Sequence, residues 1–253
     1  MIQVSELRKE FKLNKKQRQE LQTKEKTTTA VNNISFKCEP GRVFSLLGPN
    51  GAGKTTTLRM LATIFAPTKG EITICNLNTK TNAAEIRNKI GFLTGSTGLY
   101  SRLTPHELIQ YFATLYRVPE DVFNKRVENL YSLLDMHDFK HKRIGKLSTG
   151  MKQKVSICRT MIHDPEVVIF DEPTSGLDVI TAENIIALIR DCKSQGKTVI
   201  FSSHIMSEVD LLCDDIAIIH KGMLLFNDTM DAFRKQMTSK SLTAEFIQII
   251  ENS

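Results

Sequence analysis

The chain has 253 residues, a formal net charge of +6 and an apolar share of 41%, which is enough for one large domain or two modest ones with an ample core. No apolar run approaches the roughly 18 residues of a membrane span. The first residues lack the basic-then-apolar order of a secretory leader, which predicts a cytosolic chain. The five cysteines (Cys38, Cys75, Cys158, Cys192, Cys213) are odd in number and lack metal-ligand spacing, which argues against a disulfide scaffold or zinc site and for reduced, mostly buried thiols. The positive charge suits nucleotides, anionic lipid or nucleic acid without choosing among them.

Residues 2–7 alternate apolar and polar, as a half-buried strand does, with Phe11 at its end. Residues 14–29 are polar, with Lys15, Lys16, Arg18, Lys24 and Lys26 against Glu20 and Glu25, and predict a hairpin tip or mobile loop. Alternation returns over residues 31–36, and Glu39-Pro40-Gly41-Arg42 turns into an apolar strand over residues 43–47. That strand empties into Gly48-Pro49-Asn50-Gly51-Ala52-Gly53-Lys54-Thr55, and Leu58, Leu61, Ala62 and Phe65 follow at helical spacing. Residues 71–74 read as a further short strand. The early strands precede any βαβ alternation, so they predict an antiparallel layer beside the main sheet.

A short helix is expected over residues 83–89, leading into a strand at residues 90–93 and a polar loop at residues 94–98. Residues 104–164 carry a helical pattern that opens with a Thr104/Glu107 capping box around Pro105. Leu147-Ser148-Thr149-Gly150-Met151 is expected ahead of the last helix of this insertion. Residues 167–170 are continuously apolar, as in a buried parallel strand, and end in Asp171 and Glu172. Ser175-Gly176-Leu177-Asp178 turns into a helix through Gln195. A strand over residues 198–201 ends just before His204, and a helix, two strands and an amphipathic tail helix from Ser241 complete the chain.

The chemistry gathers at strand ends. Gly48 through Thr55, between a strand and a helix, is the pattern of a phosphate-binding loop. Its glycines let backbone N–H groups turn toward phosphate oxygens, and the helix N-terminus adds partial positive charge. Lys54 would reach the β/γ-phosphates and Thr55 would ligate Mg²⁺. Ligands of open parallel sheets collect at the carboxyl ends of strands, where Gly95, Asp171, Glu172 and His204 also fall. Asp171 suits holding Mg²⁺ and Glu172 suits orienting or deprotonating a water; two acids there could instead cap the next helix. His204 could bond a γ-phosphate or simply face solvent.

Taken together, these motifs resemble the ATP-binding subunits of ABC transporters over nearly the whole chain. Residues 48–55 match the Walker A loop, residues 167–171 followed by Glu172 the Walker B strand, residues 147–151 the family signature, residues 175–178 the D-loop, and His204 the switch histidine. The resemblance implies an α/β P-loop NTPase of ABC type, with a mixed central sheet, an antiparallel β layer and an inserted helical subdomain. It would be one nucleotide-binding domain, residues 1–99 and 165–253 forming the core with its β layer and residues 100–164 the helical part.

The resemblance also implies ATP and Mg²⁺ as ligands. ATP would be bound by Phe11 stacked on adenine, by Gly48, Pro49, Asn50, Gly51, Ala52, Gly53, Lys54, Thr55 and Thr56, and by Ser148, Thr149, Gly150 and Asp178. Metal would be held by Thr55 and Asp171, and catalysis would rest on Glu172, His204 and Lys54. Phe11 has a second use as an ordinary core residue. The implied partners are a second nucleotide-binding subunit, meeting this one head to tail as a homodimer, and an integral membrane transporter subunit; no nucleic acid is expected. Such a chain would sit peripherally on the cytoplasmic face of the membrane.

Two departures stand out: the signature has Thr149 where the family has glycine, and Gly95 takes the place of the usual glutamine that touches Mg²⁺. Ser96, Thr97 or a water would then have to supply that contact. The strings Gly98-Leu-Tyr-Ser-Arg-Leu-Thr, Ile162-His-Asp-Pro and Phe201-Ser-Ser-His-Ile-Met are similar to the sodium-extruding NatA type. Two rival classes remain: a soluble ABC-type ATPase acting on a ribosome, DNA or an assembly partner, and a non-catalytic ATP-binding regulator. The first often carries a second cassette or a coiled coil, and this sequence has neither; intact Glu172 and His204 argue against the second.

Overall fold

A computed structural model describes residues 1–20, 22–94 and 98–253. The chain opens with β1 (Ile2–Lys12), α1 (Lys15–Glu20), β2 (Thr27–Cys38), β3 (Val43–Leu47) and α2 (Lys54–Leu61). It continues through β4 (Lys69–Ile74), β5 (Leu77–Asn78), α3 (Ala83–Lys89) and β6 (Ile90–Leu93). Three helices follow, α4 (Pro105–Leu115), α5 (Glu120–Leu133) and α6 (Thr149–Met161), with a 3₁₀ turn at Ile144–Lys146 before the last. Then come β7 (Val167–Asp171), α7 (Val179–Ser194), β8 (Thr198–Ser203), α8 (Met206–Leu212), β9 (Asp215–His220), β10 (Met223–Thr229), α9 (Met230–Gln236) and α10 (Leu242–Glu251).

The strands form two sheets, ordered β2-β1-β4-β5 and β10-β9-β3-β8-β7-β6. The first is antiparallel throughout. In the second, β9, β3, β8, β7 and β6 run parallel and β10 pairs antiparallel to β9. This mixed sheet beside an antiparallel one is the architecture expected from the sequence.

Strand alternation divides the apolar side chains between two cores. Phe44, Leu46, Ile169 and Ile200 face one core, which they share with Ile2, Val4 and Ile72 of the antiparallel sheet and Leu58 and Leu61 of α2. Val43, Leu47, Phe170 and Phe201 face the other, packed against Val155 and Ile157 of α6 and Ile185 and Ile189 of α7. Burial on both faces is why β3, β7 and β8 read as unbroken apolar runs. Because β3, β8 and β7 are parallel neighbours, their carboxyl ends, and the loops that leave them, lie along one edge.

The structure corrects several expected boundaries. The basic stretch at residues 14–29 is a hairpin tip whose strands reach further than their composition suggests, with Lys12 paired to Thr27. Its middle is the short helix α1, opened by a reciprocal pair: Asn14 N–H donates to Gln17 Oε1 and Gln17 N–H to Asn14 Oδ1, both at 2.9 Å. Ser148 caps α6 by accepting from Met151 N–H at 3.2 Å, so most of the signature string lies inside the helix instead of ahead of it. The short strand β5 and the helix α9, capped by Thr229, are additions the sequence pattern did not reveal. The capping box is present as expected: Glu107 N–H donates to Thr104 Oγ1 and Thr104 N–H to Glu107 Oε2 at 2.8 Å. The five cysteines are free, and Cys38, Cys158 and Cys192 are buried.

Candidate active site

The phosphate loop is held between the two sheets, and its glycines record how tightly. A Cβ on Gly48 would stand 2.2 Å from the Ile219 carbonyl oxygen of β9, and one on Gly53, where φ is +110°, would stand 2.5 Å from the Ala30 carbonyl oxygen of β2. Only glycine fits there. From Gly53 the chain turns directly into α2, so the helix N-terminus points its free N–H groups into the loop. Ala30, the run from Pro49 to Thr56, and Glu172 line a cavity of roughly 140 Å³.

Lys54 is buried, with 4% of its surface exposed. Its Nζ donates to the carbonyls of Gly48 at 2.6 Å and Pro49 at 3.2 Å, and stands 3.3 Å from Glu172 Oε1. The same Glu172 oxygen is 3.4 Å from His204 Nδ1, so one carboxyl group lies between the lysine of one strand-end loop and the histidine of another. His204 is half exposed, and its loop is braced by Ser203, whose hydroxyl donates to Glu208 at 3.1 Å and accepts from Ile205 N–H at 3.0 Å.

A second set of contacts lies beside the first. Thr55 Oγ1 donates to Asp171 Oδ1 at 3.0 Å. Because the Thr55 proton is committed to Asp171, the lone pairs of the hydroxyl oxygen remain free for a cation. Among the described residues no cluster of three or more His, Cys, Asp or Glu side chains could hold a metal unaided. Two hard oxygens with phosphate oxygens completing the shell is the habit of Mg²⁺, and Thr55 and Asp171 fit it.

Lys54, Thr55, Asp171, Glu172 and His204 thus lie close together in the structure. Other expected residues lie elsewhere. Ser148 and Thr149 are exposed, and Gly150 abuts the start of α7: a Cβ there would stand 3.2 Å from Thr181 Oγ1 and 3.4 Å from Asp178 Oδ2. Asp178 caps α7, accepting from Thr181 N–H and Oγ1 at 2.9 Å, and these bonds hold its carboxyl below the usual carboxylate range. None of these four residues lines the phosphate cavity. Phe11 packs edge-on against Phe65, with ring centroids 5.5 Å apart and Lys9 Nζ 5.1 Å from its own ring centre, and it does not line the cavity either. Gly95, Ser96 and Thr97 lie outside the described residues.

Two contributors escaped the sequence reading. Ala30 walls the loop through its carbonyl, and Ser202, fully buried, bonds to both Asp171 and Glu172. The only signal for Ser202 is the Ser202-Ser203 pair that ends an otherwise apolar strand.

The family model described as ABC transporter matches residues 31–175. The chain is similar to the ABC transporter ATP-binding protein NatA of Bacillus subtilis (strain 168), at 41% identity over 89% of this chain and 92% of that protein. Its fold matches a solved ATP-binding subunit of an ABC transporter with a TM-score of 0.85, at 24% identity over 98% of this chain and 99% of the other. It also matches a dimeric ATP-binding cassette in a post-hydrolysis state bound to ADP and Pi, with a TM-score of 0.79 at 25% identity over 91% of this chain and 99% of the other.

Proposed function

The chain belongs to the ABC transporter family as one of its ATP-binding subunits, and we propose that it hydrolyses ATP at the Lys54–Glu172–His204 cluster to drive a separate membrane-embedded subunit. An ABC ATPase splits ATP with water into ADP and phosphate. Here the loop N–H groups and Lys54 would hold the phosphates, and Thr55 and Asp171 would hold Mg²⁺, which would neutralise developing phosphate charge. Glu172 accepts a proton from the water as its oxygen attacks the γ-phosphorus and the bond to the ADP oxygen breaks. His204 fixes the Glu172 carboxyl from the open side.

The observation that carries this reading is the position of the Glu172 carboxyl, 3.3 Å from Lys54 and 3.4 Å from His204 at the wall of the phosphate cavity. The test is Glu172→Gln in the purified chain. Turnover should fall by about 10²-fold or more while ATP binding persists; near-parental phosphate release would sink the proposal.

The remaining ATP contacts require a second subunit. Ser148, Thr149, Gly150 and Asp178 are proposed to meet the γ-phosphate held by another copy of this chain. Val179 and Ile180, beside Asp178, support that arrangement, standing 79% and 71% exposed on a surface where apolar side chains gain from being covered. Phe11 is proposed to stack on adenine from the end of β1. Residues 100–164 form the helical part of a single nucleotide-binding domain in this reading.

The membrane subunit is proposed to dock in the cleft of about 260 Å³ between β6, α4 and α6, lined by Ile90, Phe92, Phe112, Tyr116, Arg159, Thr160 and His163. No helix among the described residues is long and apolar enough to cross a membrane, so the chain would attach peripherally to the cytoplasmic face. The cargo is proposed to be Na⁺, moved outward. This finer reading rests on the likeness of residues 98–104, 162–165 and 201–206 to the sodium-extruding type and on the identity to NatA.

A further inference from the structure

We propose that Ser202 is a positioning residue for both carboxylates of the site, setting the metal-side Asp171 and the water-side Glu172 through one hydroxyl group. The inference rests on the roles just proposed for those two acids.

Ser202 lies on β8, beside β7 in parallel register with Asp171 directly opposite it. Its side chain is fully buried. The hydroxyl donates to Asp171 Oδ1 at 2.7 Å, the same oxygen that receives Thr55 at 3.0 Å. The hydroxyl oxygen in turn accepts from Glu172 N–H at 3.0 Å, and the Ser202 carbonyl lies 3.2 Å from that same nitrogen. The donor and acceptor roles are therefore unambiguous: the single Ser202 proton goes to Asp171, and its lone pair receives Glu172.

Each bond has a separate consequence. The bonds to Asp171 Oδ1 fix the rotation of the carboxylate, so the oxygen atoms left over face a cation in a defined direction. The bonds to Glu172 N–H hold a backbone with φ of 49°, in the left-handed region that disfavours residues other than glycine. That backbone turn aims the Glu172 side chain away from the strand and toward Lys54 and His204. Since His204 follows Ser202 by two residues, the same strand end sets all three groups. An alanine would leave Asp171 with one fewer donor in a buried place and would loosen the turn at Glu172, while leaving the phosphate loop untouched.

The test compares Ser202→Ala and Ser202→Thr with the parent in steady-state ATP hydrolysis titrated with free Mg²⁺. A fluorescent ATP analogue, bound in excess chelator, reports metal-free affinity. Loss of a charge-assisted hydrogen bond to a buried carboxylate corresponds to about tenfold or more. Ser202→Ala should raise the half-saturating Mg²⁺ several-fold and lower kcat about tenfold, with metal-free nucleotide affinity unchanged; Ser202→Thr, which keeps the hydroxyl, should restore both values. A parental Mg²⁺ dependence in a folded Ser202→Ala would overturn the proposal. Should the alanine variant fail to fold, Ser202→Cys, close in size and a weak donor, gives the same two readouts. Failure of the underlying reading is seen separately, as near-parental hydrolysis by Glu172→Gln.

Discussion

Glu172 holds a left-handed backbone that costs a non-glycine residue about 1–2 kcal/mol, and it does so one residue beyond the end of a buried strand. Nothing in the packing demands a side chain there, since among the described residues the carboxyl pairs with Lys54 and His204. Glu172→Gly should therefore abolish turnover while leaving the thermal unfolding midpoint no lower than the parent's, as calorimetry would measure. A marked drop in the midpoint would mean that the Lys54–Glu172 contact stabilises the fold more than the backbone strains it. Single residues were legible in the sequence where an ionisable side chain follows an apolar run, as Asp171, Glu172 and His204 do. Ser202 was not, because a serine inside a strand has no partner that the linear pattern can name. Phe11 likewise gave no sign of Phe65, which lies on the far side of α2 in sequence and comes within ring contact only in the fold.

Elements are tied to each other by a few charged contacts at their ends. Asp164, between α6 and β7, receives Arg126 of α5 at 3.0 Å and also binds Lys197 ahead of β8. Burial pushes the Asp164 carboxyl up, but the Lys197 hydrogen bond and the charges of Lys197 and Arg126 outweigh it and hold the group below its ordinary value. A lowered carboxylate contributes stability above its unfolded pKa and loses that contribution as pH falls through its folded value. Denaturant titrations should thus find Asp164→Asn less stable than the parent at neutral pH, with the difference closing as the medium is acidified. A difference that persists unchanged in acid would assign the loss to packing instead. Helices with caps and amphipathic spacing, such as α4, were legible at this scale. The helix α1 was hidden by its charge, having no buried residue, and α9 by its brevity.

At the scale of the whole molecule, the sequence identified the parallel strands but could not order them. Their apolar runs are alike, and pairings such as β3 with β8 join residues more than a hundred and fifty positions apart with no local signal. The run of helices α4, α5 and α6 was legible because the hydrophobic period changes near Thr104. What lies between those helices and β6 was not. There Arg159 stands 5.2 Å from the Phe112 ring centre and Tyr116 stacks on His163 at 3.9 Å, while burial lowers the Arg159 pKa. Arg159→Glu should leave ATP hydrolysis by the isolated chain near the parental rate and remove the stimulation given by the membrane subunit in proteoliposomes. Retained stimulation would move the docking surface elsewhere.

The grip of both sheets on the phosphate loop has a consequence for how this chain tolerates change. Ala30 is a strand residue of the antiparallel layer and Ile219 one of the mixed sheet, yet their carbonyl oxygens together leave room for no more than hydrogen at Gly53 and Gly48. The loop is a casting, and the two sheets are the halves of its mould. Residues at the hairpin tip can be added or lost without touching that mould, but a slip of β2 by a single position would move it.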